Sequence, residues 1–309
     1  MTTNHLSVVI PVFNESLIVQ EIVERVKANV ELITKDFEIL FVDDGSQDQT
    51  WELIENEAKQ DERIKGIKFS RNFGHHYAIT AGIHHSTGEW VVVMDGDLQD
   101  RPEVIPKLYE KAQEGFEVVF VSRQNRPESK IYLIAQKTFY WTLRIMSGVK
   151  LKSDQGNFSI ISKKVKSDFI KFSENARFYP ATIYWLGYKS AVIKAEHGIR
   201  FAGKPSYTFK RRTKLALDII FAFSDRPLKL SVLIGIIFSF GSVLSFILVI
   251  FRKVFYGFSI VGWTSLFSLT LFSIGLIMFA LGIMGIYIGK ILTEVKSRQL
   301  YVIDKKYNL

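Results

Sequence analysis

The chain has 309 residues, with 40 Lys and Arg against 31 Asp and Glu, and a net charge of +9 at pH 7. The absence of cysteine excludes disulfide frameworks and thiolate zinc sites. The basic residues concentrate after Lys204 and near the C-terminus, which indicates an anionic partner such as nucleic acid, a phosphorylated substrate or a membrane surface.

The first part of the chain alternates between apolar strands and amphipathic helices. Its beginning, MTTNHLSVVIPVFNE, lacks a basic start and is interrupted by Pro11 and Asn14, so no signal peptide is expected. Strands are predicted over 6–13, 37–44, 64–70, 90–95 and 117–122, and helices over 17–30, 50–60, 75–86 and after Pro102. This order predicts an α/β domain of βαβ units with a mostly parallel, Rossmann-like sheet.

Polar residues follow each predicted strand, and ligands of such sheets bind where the strands end. Any one of them could be an ordinary turn residue, but the whole set indicates a shared site. They are Pro11, Asn14 and Glu15 after the first strand, Asp43, Asp44, Ser46 and Asp48 after the second, Arg71, Asn72 and Gly74 after the third, Asp95, Asp97, Gln99 and Asp100 after the fourth, and Arg123 after the fifth.

The residue types at this edge indicate a metal-bridged diphosphate. The turn after the first strand, PVFNES, has no glycine, and no P-loop is present, so neither glycine-rich phosphate cradle applies. Asp95 and Asp97 stand two apart at a strand end, where alternate side chains point the same way. Two hard carboxylates suit Mg²⁺ or Mn²⁺, which share their remaining positions with water and substrate phosphates.

Two long apolar segments follow, at 228–251 and 263–288, each able to cross a bilayer as a helix. A pair of buried core helices is the alternative. More basic residues flank the pair than lie between the segments, so both termini are expected to be cytoplasmic. Gly285 and Gly289 have the GxxxG spacing, which suggests close helix packing within the hairpin or between subunits.

Five motifs occur in order along the chain: VVIPVFNE, FVDDGSQDQT, SRNFGHHYAITAGI, MDGDLQDRPE and RFAGKPSYT. Together they resemble the family 2 glycosyltransferases with a GT-A fold. The similar branch is the polyprenyl-phosphate type, which includes bactoprenol glucosyltransferase and dolichol-phosphate mannose synthase. The resemblance implies inverting transfer of one sugar from a nucleotide-sugar, with UDP expected, to a polyprenyl phosphate such as undecaprenyl phosphate.

The resemblance also implies roles for individual residues. Asp95 and Asp97 would hold the metal and the diphosphate, with Asp97 the stronger ligand, and Asp44 would support the donor loop. The other donor residues would be Pro11, Asn14, Glu15, Asp43, Ser46 and Arg71; Gln99 and Asp100 would approach the donor sugar; Arg123, Lys137, Arg200 and Tyr207 would serve the acceptor phosphate, with the 203–207 loop closing the site.

Many relatives of the bactoprenol type carry an aspartate, a candidate base, where this chain has Asn157. An amide cannot accept that proton, so either the enzyme is impaired or no base is needed there. A phosphate monoester is mostly dianionic at pH 7, because its second pKa lies near 6, and it can attack without a base. We therefore expect Asn157 to orient the acceptor or the donor sugar.

The expected organisation is a catalytic domain over 1–205, an amphipathic juxtamembrane segment over 206–227, a hairpin over 228–290 and a cytoplasmic tail over 291–309. Basic and apolar residues mix in 130–147 and 210–223, which indicates helices lying on the membrane surface or, alternatively, packed on the domain. The expected location is the cytoplasmic membrane. A homo-oligomer such as a tetramer is compatible with this organisation, and a separate flippase would move the product.

Three rival functions remain. A processive polysaccharide synthase would carry more spans and a Gln-x-x-Arg-Trp motif, which is absent. A family 2 enzyme could act on a different membrane glycan or glycolipid, and a degenerate scaffold would not need the Asp95 and Asp97 pair. The histidines at 75, 76, 84 and 85 flank an apolar helical segment and are interpreted as structural or solvated, with His75 near the diphosphate loop.

Overall fold

The computed structural model describes residues 5–124, 155–172, 174, 178–196, 221, 224–256 and 262–309. These residues form one sheet with the strand order β7-β5-β6-β4-β1-β2-β3-β8. The strands are β1 (Leu6–Val12), β2 (Phe37–Asp43), β3 (Ile64–Phe69), β4 (Trp90–Val93), β5 (Val118–Gln124), β6 (Gln155–Ser162), β7 (Ser190–Glu196) and β8 (Ile303–Tyr307).

The centre of the sheet is parallel, as the βαβ pattern predicts. Strand β1 pairs in parallel with β2 and β4, β2 with β3, and β5 with β7, so the carboxyl ends of β1 to β4 meet at one edge. The five predicted strands are all confirmed, as is the α/β fold class.

Helices cover both faces of this sheet. They are α1 (Val19–Val30), α2 (Thr50–Gln60), α3 (His75–His85), α4 (Ile105–Gln113), α5 (Lys163–Lys171) and α6 (Tyr179–Trp185). Helix α1 buries the positions that recur at helical spacing: Val19, Ile22, Val23, Val26 and Val30. Helix α3 lies very close to the sheet, since a Cβ added at Gly82 would stand 2.2 Å from Cγ1 of Val9.

Three strands were absent from the sequence prediction. Strand β6 lies antiparallel between β4 and β5, and β7 forms one edge beside β5. Strand β8 comes from the last residues of the chain and pairs antiparallel with β3 at the other edge. The end of the segment that the sequence predicted as a tail over 291–309 thus contributes a strand to the sheet.

Two long helices connect β7 to β8 along the chain: α7 (Arg226–Tyr256) and α8 (Trp263–Val295). Both are long and apolar enough to cross a membrane, over Arg226–Leu244 and Leu269–Val295. Only 6% and 0% of these apolar windows are buried, which argues against the alternative of core helices. They could form a membrane hairpin, and the Tyr287 hydroxyl donates to the Ser224 carbonyl oxygen at 2.7 Å.

The glycines of α8 contact no other helix among the described residues. A Cβ placed on Gly275, Gly282, Gly285 or Gly289 would meet no atom of the described residues within 4 Å. Among the described residues, the contact between α7 and α8 is made elsewhere, for example by the Phe238 and Phe272 rings with centroids 5.3 Å apart. Packing between subunits stays a prediction.

Candidate active site

The loops after β1 and β2 are joined by hydrogen bonds. The Asn14 amide nitrogen donates to the Ser46 hydroxyl at 2.9 Å, and the Asn14 side-chain oxygen accepts from the Gln47 amide at 2.9 Å. Asn14 has a φ of 56°, in the left-handed region that asparagine tolerates better than most residues. Asn14 and Ser46 thus hold the two loops together, and the left-handed backbone at Asn14 lies at the carboxyl edge of the sheet.

A second set of contacts holds the start of α1. The Glu15 amide donates to the Thr50 hydroxyl at 2.9 Å, and the Ser16 amide donates to Asp48 Oδ2 at 3.2 Å. Burial alone would raise the pKa of Asp48, but hydrogen bonds from Thr50 and Ser16 outweigh it and lower that pKa. Asp48 is therefore engaged in fastening the loop.

Pro11 lies inside β1, one residue before its end, and does not follow the strand as the sequence indicated. It is paired with Val42 of β2. On its other side, β4 pairs with β1 only as far as Val9 opposite Val93. A residue without an amide proton is tolerated here because the neighbouring strand has already ended.

Asp43 is the last residue of β2 and is completely buried. Its Oδ1 accepts from the Ser46 amide at 2.8 Å, while its Oδ2 has no hydrogen-bond partner among the described residues. Burial raises the pKa of this carboxyl, although Ser46 counteracts it. Buried polar atoms are nearly always paired, so this oxygen is a candidate contact for a bound ligand.

Asp44 organises the loop after β3. Its carboxylate accepts from the Phe73 amide at 2.7 Å and from the Gly74 amide at 2.9 Å, and burial raises its pKa. The Arg71 guanidinium lies 4.0 Å from the centre of the Phe73 ring. Gly45, with a φ of 74°, passes under this loop, and a Cβ there would stand 2.4 Å from the backbone of Arg71.

The loop after β4 folds back on itself. Asp100, which is 3% exposed, accepts from the Asp95 amide through Oδ2 at 3.1 Å, and Asp97 Oδ1 accepts from the Gln99 amide at 3.1 Å. Leu98 between them has a φ of 59°, which is unusual for a branched apolar residue. Asp100 therefore supports the backbone of the acidic turn, and strained residues of this kind are typical of functional loops.

Strand β6 adds a residue directly opposite Asp95. The side-chain nitrogen of Asn157, Nδ2, donates to Asp95 Oδ1 at 3.0 Å and lies 2.9 Å from His75 Nε2, which is itself 3.1 Å from Asp95 Oδ1. Burial alone would lower the pKa of His75, but Asp95 outweighs it and raises that pKa. Burial and the charge of His75 lower the pKa of the neighbouring His76 to about 3.

Sequence reasoning gave His75 little weight, although the structure makes it a member of the central cluster. Its signal was its position as the first residue of α3, directly after a polar loop at a strand end. The positive end of α3 consequently points at the same edge as the acidic turn, where it favours bound anions.

The Asp95 and Asp97 pair fits a divalent cation that a diphosphate would help to bind. Among the described residues, no group of three or more His, Cys, Asp or Glu is arranged to hold a metal ion. Two carboxylates with water and phosphate oxygens suit Mg²⁺ or Mn²⁺. The turn requires glycine between them, because a Cβ on Gly96 would stand 2.7 Å from Val12 Cγ1 and 2.8 Å from the Pro11 carbonyl oxygen.

The residues predicted to bind the acceptor phosphate lie mostly outside the described residues. Arg123 lies within β5 and does not follow it, because pairing with β7 continues to Gln124, and its side chain is outside the described atoms. Lys137, Arg200, Tyr207 and the 203–207 loop also lie outside the described residues, as do the 130–147 stretch and all of the 210–223 stretch except Phe221.

Known proteins resemble this chain along nearly all of its length. A protein of Bacillus subtilis (strain 168) named uncharacterized glycosyltransferase YkcC is 37% identical over 304 residues, which cover 98% of this chain and 94% of the relative. The undecaprenyl-phosphate 4-deoxy-4-formamido-L-arabinose transferase of Enterobacter sp. (strain 638) is 35% identical, covering 97% and 93%.

The fold also has a solved counterpart. The glucosyl-3-phosphoglycerate synthase of Mycobacterium tuberculosis, in complex with Mn²⁺, uridine diphosphate and phosphoglyceric acid, superposes with a TM-score of 0.50. The match covers 71% of this chain and 76% of the synthase at 18% identity, so it supports the fold alone. The model of the family described as glycosyl transferase family 2 matches residues 7–166. The chain therefore belongs to glycosyl transferase family 2 and has a GT-A-like catalytic domain.

Proposed function

We propose that this protein transfers one sugar from a nucleotide-sugar, with UDP the expected nucleotide, to a polyprenyl phosphate such as undecaprenyl phosphate. The observation that carries this proposal is where the membrane helix meets the sheet. Helix α8 ends at Val295, and β8 begins at Ile303 beside Phe69, the last residue of β3. Eight steps of extended chain span about 28 Å at most, so the C-terminal end of α8 stays close to the carboxyl edge of β1 to β4, here called the donor edge.

The donor is proposed to bind across the ends of β1 to β4. Oδ2 of buried Asp43, which has no hydrogen-bond partner among the described residues, is available to the nucleoside, and the start of α3 would face the diphosphate. Asp95 and Asp97 would hold Mg²⁺ or Mn²⁺, which stabilises the charge that develops on a leaving diphosphate. Asn157 keeps one oxygen of Asp95 hydrogen-bonded, which limits the orientations of that carboxylate.

The proposed acceptor needs no base from the protein. A polyprenyl phosphate is mostly dianionic at pH 7 and attacks the anomeric carbon with an oxygen that carries no proton. Direct displacement forms the new carbon–oxygen bond on the face opposite the breaking one, so the anomeric configuration is inverted. The nucleoside diphosphate leaves with the bonding electron pair. The acceptor class of the Enterobacter relative supports this assignment.

The test is transfer of label into lipid. Purified full-length protein in detergent, with Mg²⁺ or Mn²⁺ and undecaprenyl phosphate, is incubated with a panel of radiolabelled UDP- and GDP-sugars. We expect one donor to give an organic-soluble product that mild acid hydrolyses, and no product when undecaprenol replaces its phosphate. Failure of every donor to label the lipid would exclude the proposed reaction.

The same connection predicts the membrane orientation. Because β8 pairs with β3, the chain must return to the face that carries the catalytic domain, which is proposed to be cytoplasmic. Single cysteines can report this, since the natural chain has none. A membrane-impermeant maleimide should label Phe255→Cys in intact cells but Lys305→Cys only after lysis. Labelling of Lys305→Cys in intact cells would contradict this orientation.

A further inference from the structure

The C-terminal strand contacts more than the edge of the sheet. Its pairing with β3 runs from Tyr307 opposite Gly66 to Ile303 opposite Phe69, so it enters the sheet at the donor edge. Immediately before it, the Val302 carbonyl oxygen accepts from the Ser70 amide at 3.0 Å. The segment that arrives from α8 is therefore bonded to the first residue of the loop after β3.

A row of three aromatic rings, Tyr301, Phe69 and Phe73, extends this contact into the loop. The Tyr301 ring stacks on Phe69 with centroids 4.9 Å apart and planes inclined by 13°. Phe69, which is 1% exposed, meets Phe73 edge to face at 5.7 Å. Phe73 in turn lies under the Arg71 guanidinium and donates its amide to Asp44.

The last ring of this row, Phe73, lies two residues before the start of α3. Asp44 also accepts from the Gly74 amide, and the following residue, His75, contacts Asp95. Gly74 adopts a φ of 123°, a conformation that side chains other than hydrogen rarely allow. Any displacement of Phe73 would thus move the backbone that sets His75 against the acidic turn.

We propose that Tyr301 and β8 are a positioning element for the donor site, through which the membrane hairpin holds the 71–74 loop in its binding conformation. Tyr301 is a positioning residue because it acts through Phe69 and Phe73. The expected effect on loop order rests on these contacts without the proposed function, whereas the expected effect on donor affinity rests on the proposed function. Loss of one aromatic stack, here between buried Phe69 and partly buried Tyr301, corresponds to about a tenfold change in a local equilibrium.

The experiment measures amide hydrogen exchange in the full-length, ligand-free protein in detergent. We expect Tyr301→Ala and Tyr301→Leu to raise exchange at the Phe73 and Gly74 amides about tenfold, because local opening governs their protection. Tyr301→Phe keeps the ring and should stay close to the wild type. With an active donor, Tyr301→Ala should raise its KM about tenfold while kcat changes far less.

Asn308, the residue directly after β8, provides the matched control. Its side chain donates to the Ala58 and Ile64 carbonyl oxygens at 2.8 and 3.0 Å, at the opposite end of β3 from the loop. Asn308→Ala should loosen that end without changing exchange at Phe73 and Gly74. Unchanged loop exchange in Tyr301→Ala, or an equal rise in Asn308→Ala, would overturn the proposal even if no donor is ever found.

Discussion

Replacing Asp97 by alanine is expected to lower the rate of sugar transfer about a thousandfold, because it removes a proposed ligand of the cation that would stabilise the leaving diphosphate. Asp97 Oδ1 accepts from the Gln99 amide at 3.1 Å within the same turn, and we expect the variant to fold like the wild type. The measurement is the initial rate of lipid-linked sugar formation at saturating donor, with thermal unfolding recorded in parallel.

The matched variant is Asn157→Ala, which removes the hydrogen bond to Asp95 and leaves both carboxylates in place. Partners that orient a metal ligand typically contribute ten- to a hundredfold, so we expect about that loss. Equal and complete loss of activity in the two variants would defeat the interpretation that no base acts at position 157.

The contact of Asn157 also explains why an amide suits this position. An aspartate there would face Asp95 at hydrogen-bond distance, and two carboxylates so close raise the pKa of one of them. The amide instead donates to Asp95 without adding charge. The proposed phosphate acceptor is already deprotonated at pH 7, so the reaction does not need the proton acceptor that an aspartate at this position would provide.

Replacing Glu38 by alanine is expected to lower the free energy of unfolding by about 3 kcal/mol, because Lys65, the Ser7 hydroxyl and both the amide and the hydroxyl of Thr87 lose their buried partner. Glu38 is fully buried, its Oε1 accepts from the Ser7 hydroxyl and the Thr87 amide, both at 2.5 Å, and Lys65 Nζ lies 2.7 Å from Oε2. Denaturant unfolding of the full-length protein, followed by tryptophan fluorescence, measures the change.

An exposed ion pair gives the control. Glu55 and Lys59 lie 3.2 Å apart on α2 with side chains 34% and 53% exposed, and Glu55→Ala should change stability by about 0.5 kcal/mol or less. A loss in Glu38→Ala as small as in Glu55→Ala would show that the buried network does not stabilise the fold.

The stability difference between the wild type and Glu38→Ala should also depend on pH. Burial alone would raise the pKa of Glu38, but Lys65, Ser7 and Thr87 outweigh it and lower that pKa below its ordinary value of 4.5. The carboxylate therefore stabilises the fold fully above pH 4.5 and loses this contribution as the pH falls through the lower, folded-state value. A difference that grows on acidification would contradict this assignment.

Local patterns in the sequence were sufficient for the first half of the fold. Period-two and period-3.6 apolar spacing predicts β1 to β5 and the helices between them, because each element buries one face or both against a common core. Parallel pairing then requires the polar residues that follow these strands to share an edge. The acidic turn could be located in this way, and long apolar segments identify α7 and α8 by length alone.

The tertiary structure decided which distant residues complete the site. Asn157 reaches Asp95 only because β6 inserts antiparallel beside β4, and no local pattern specifies that pairing across 62 positions. Strand β8 is five residues long, too short for its alternation to identify a partner. It follows the two long helices in the chain and pairs with β3, which precedes them. Chemistry at a strand end is thus readable from local order, whereas contacts between distant segments depend on the free energy of the whole packed chain.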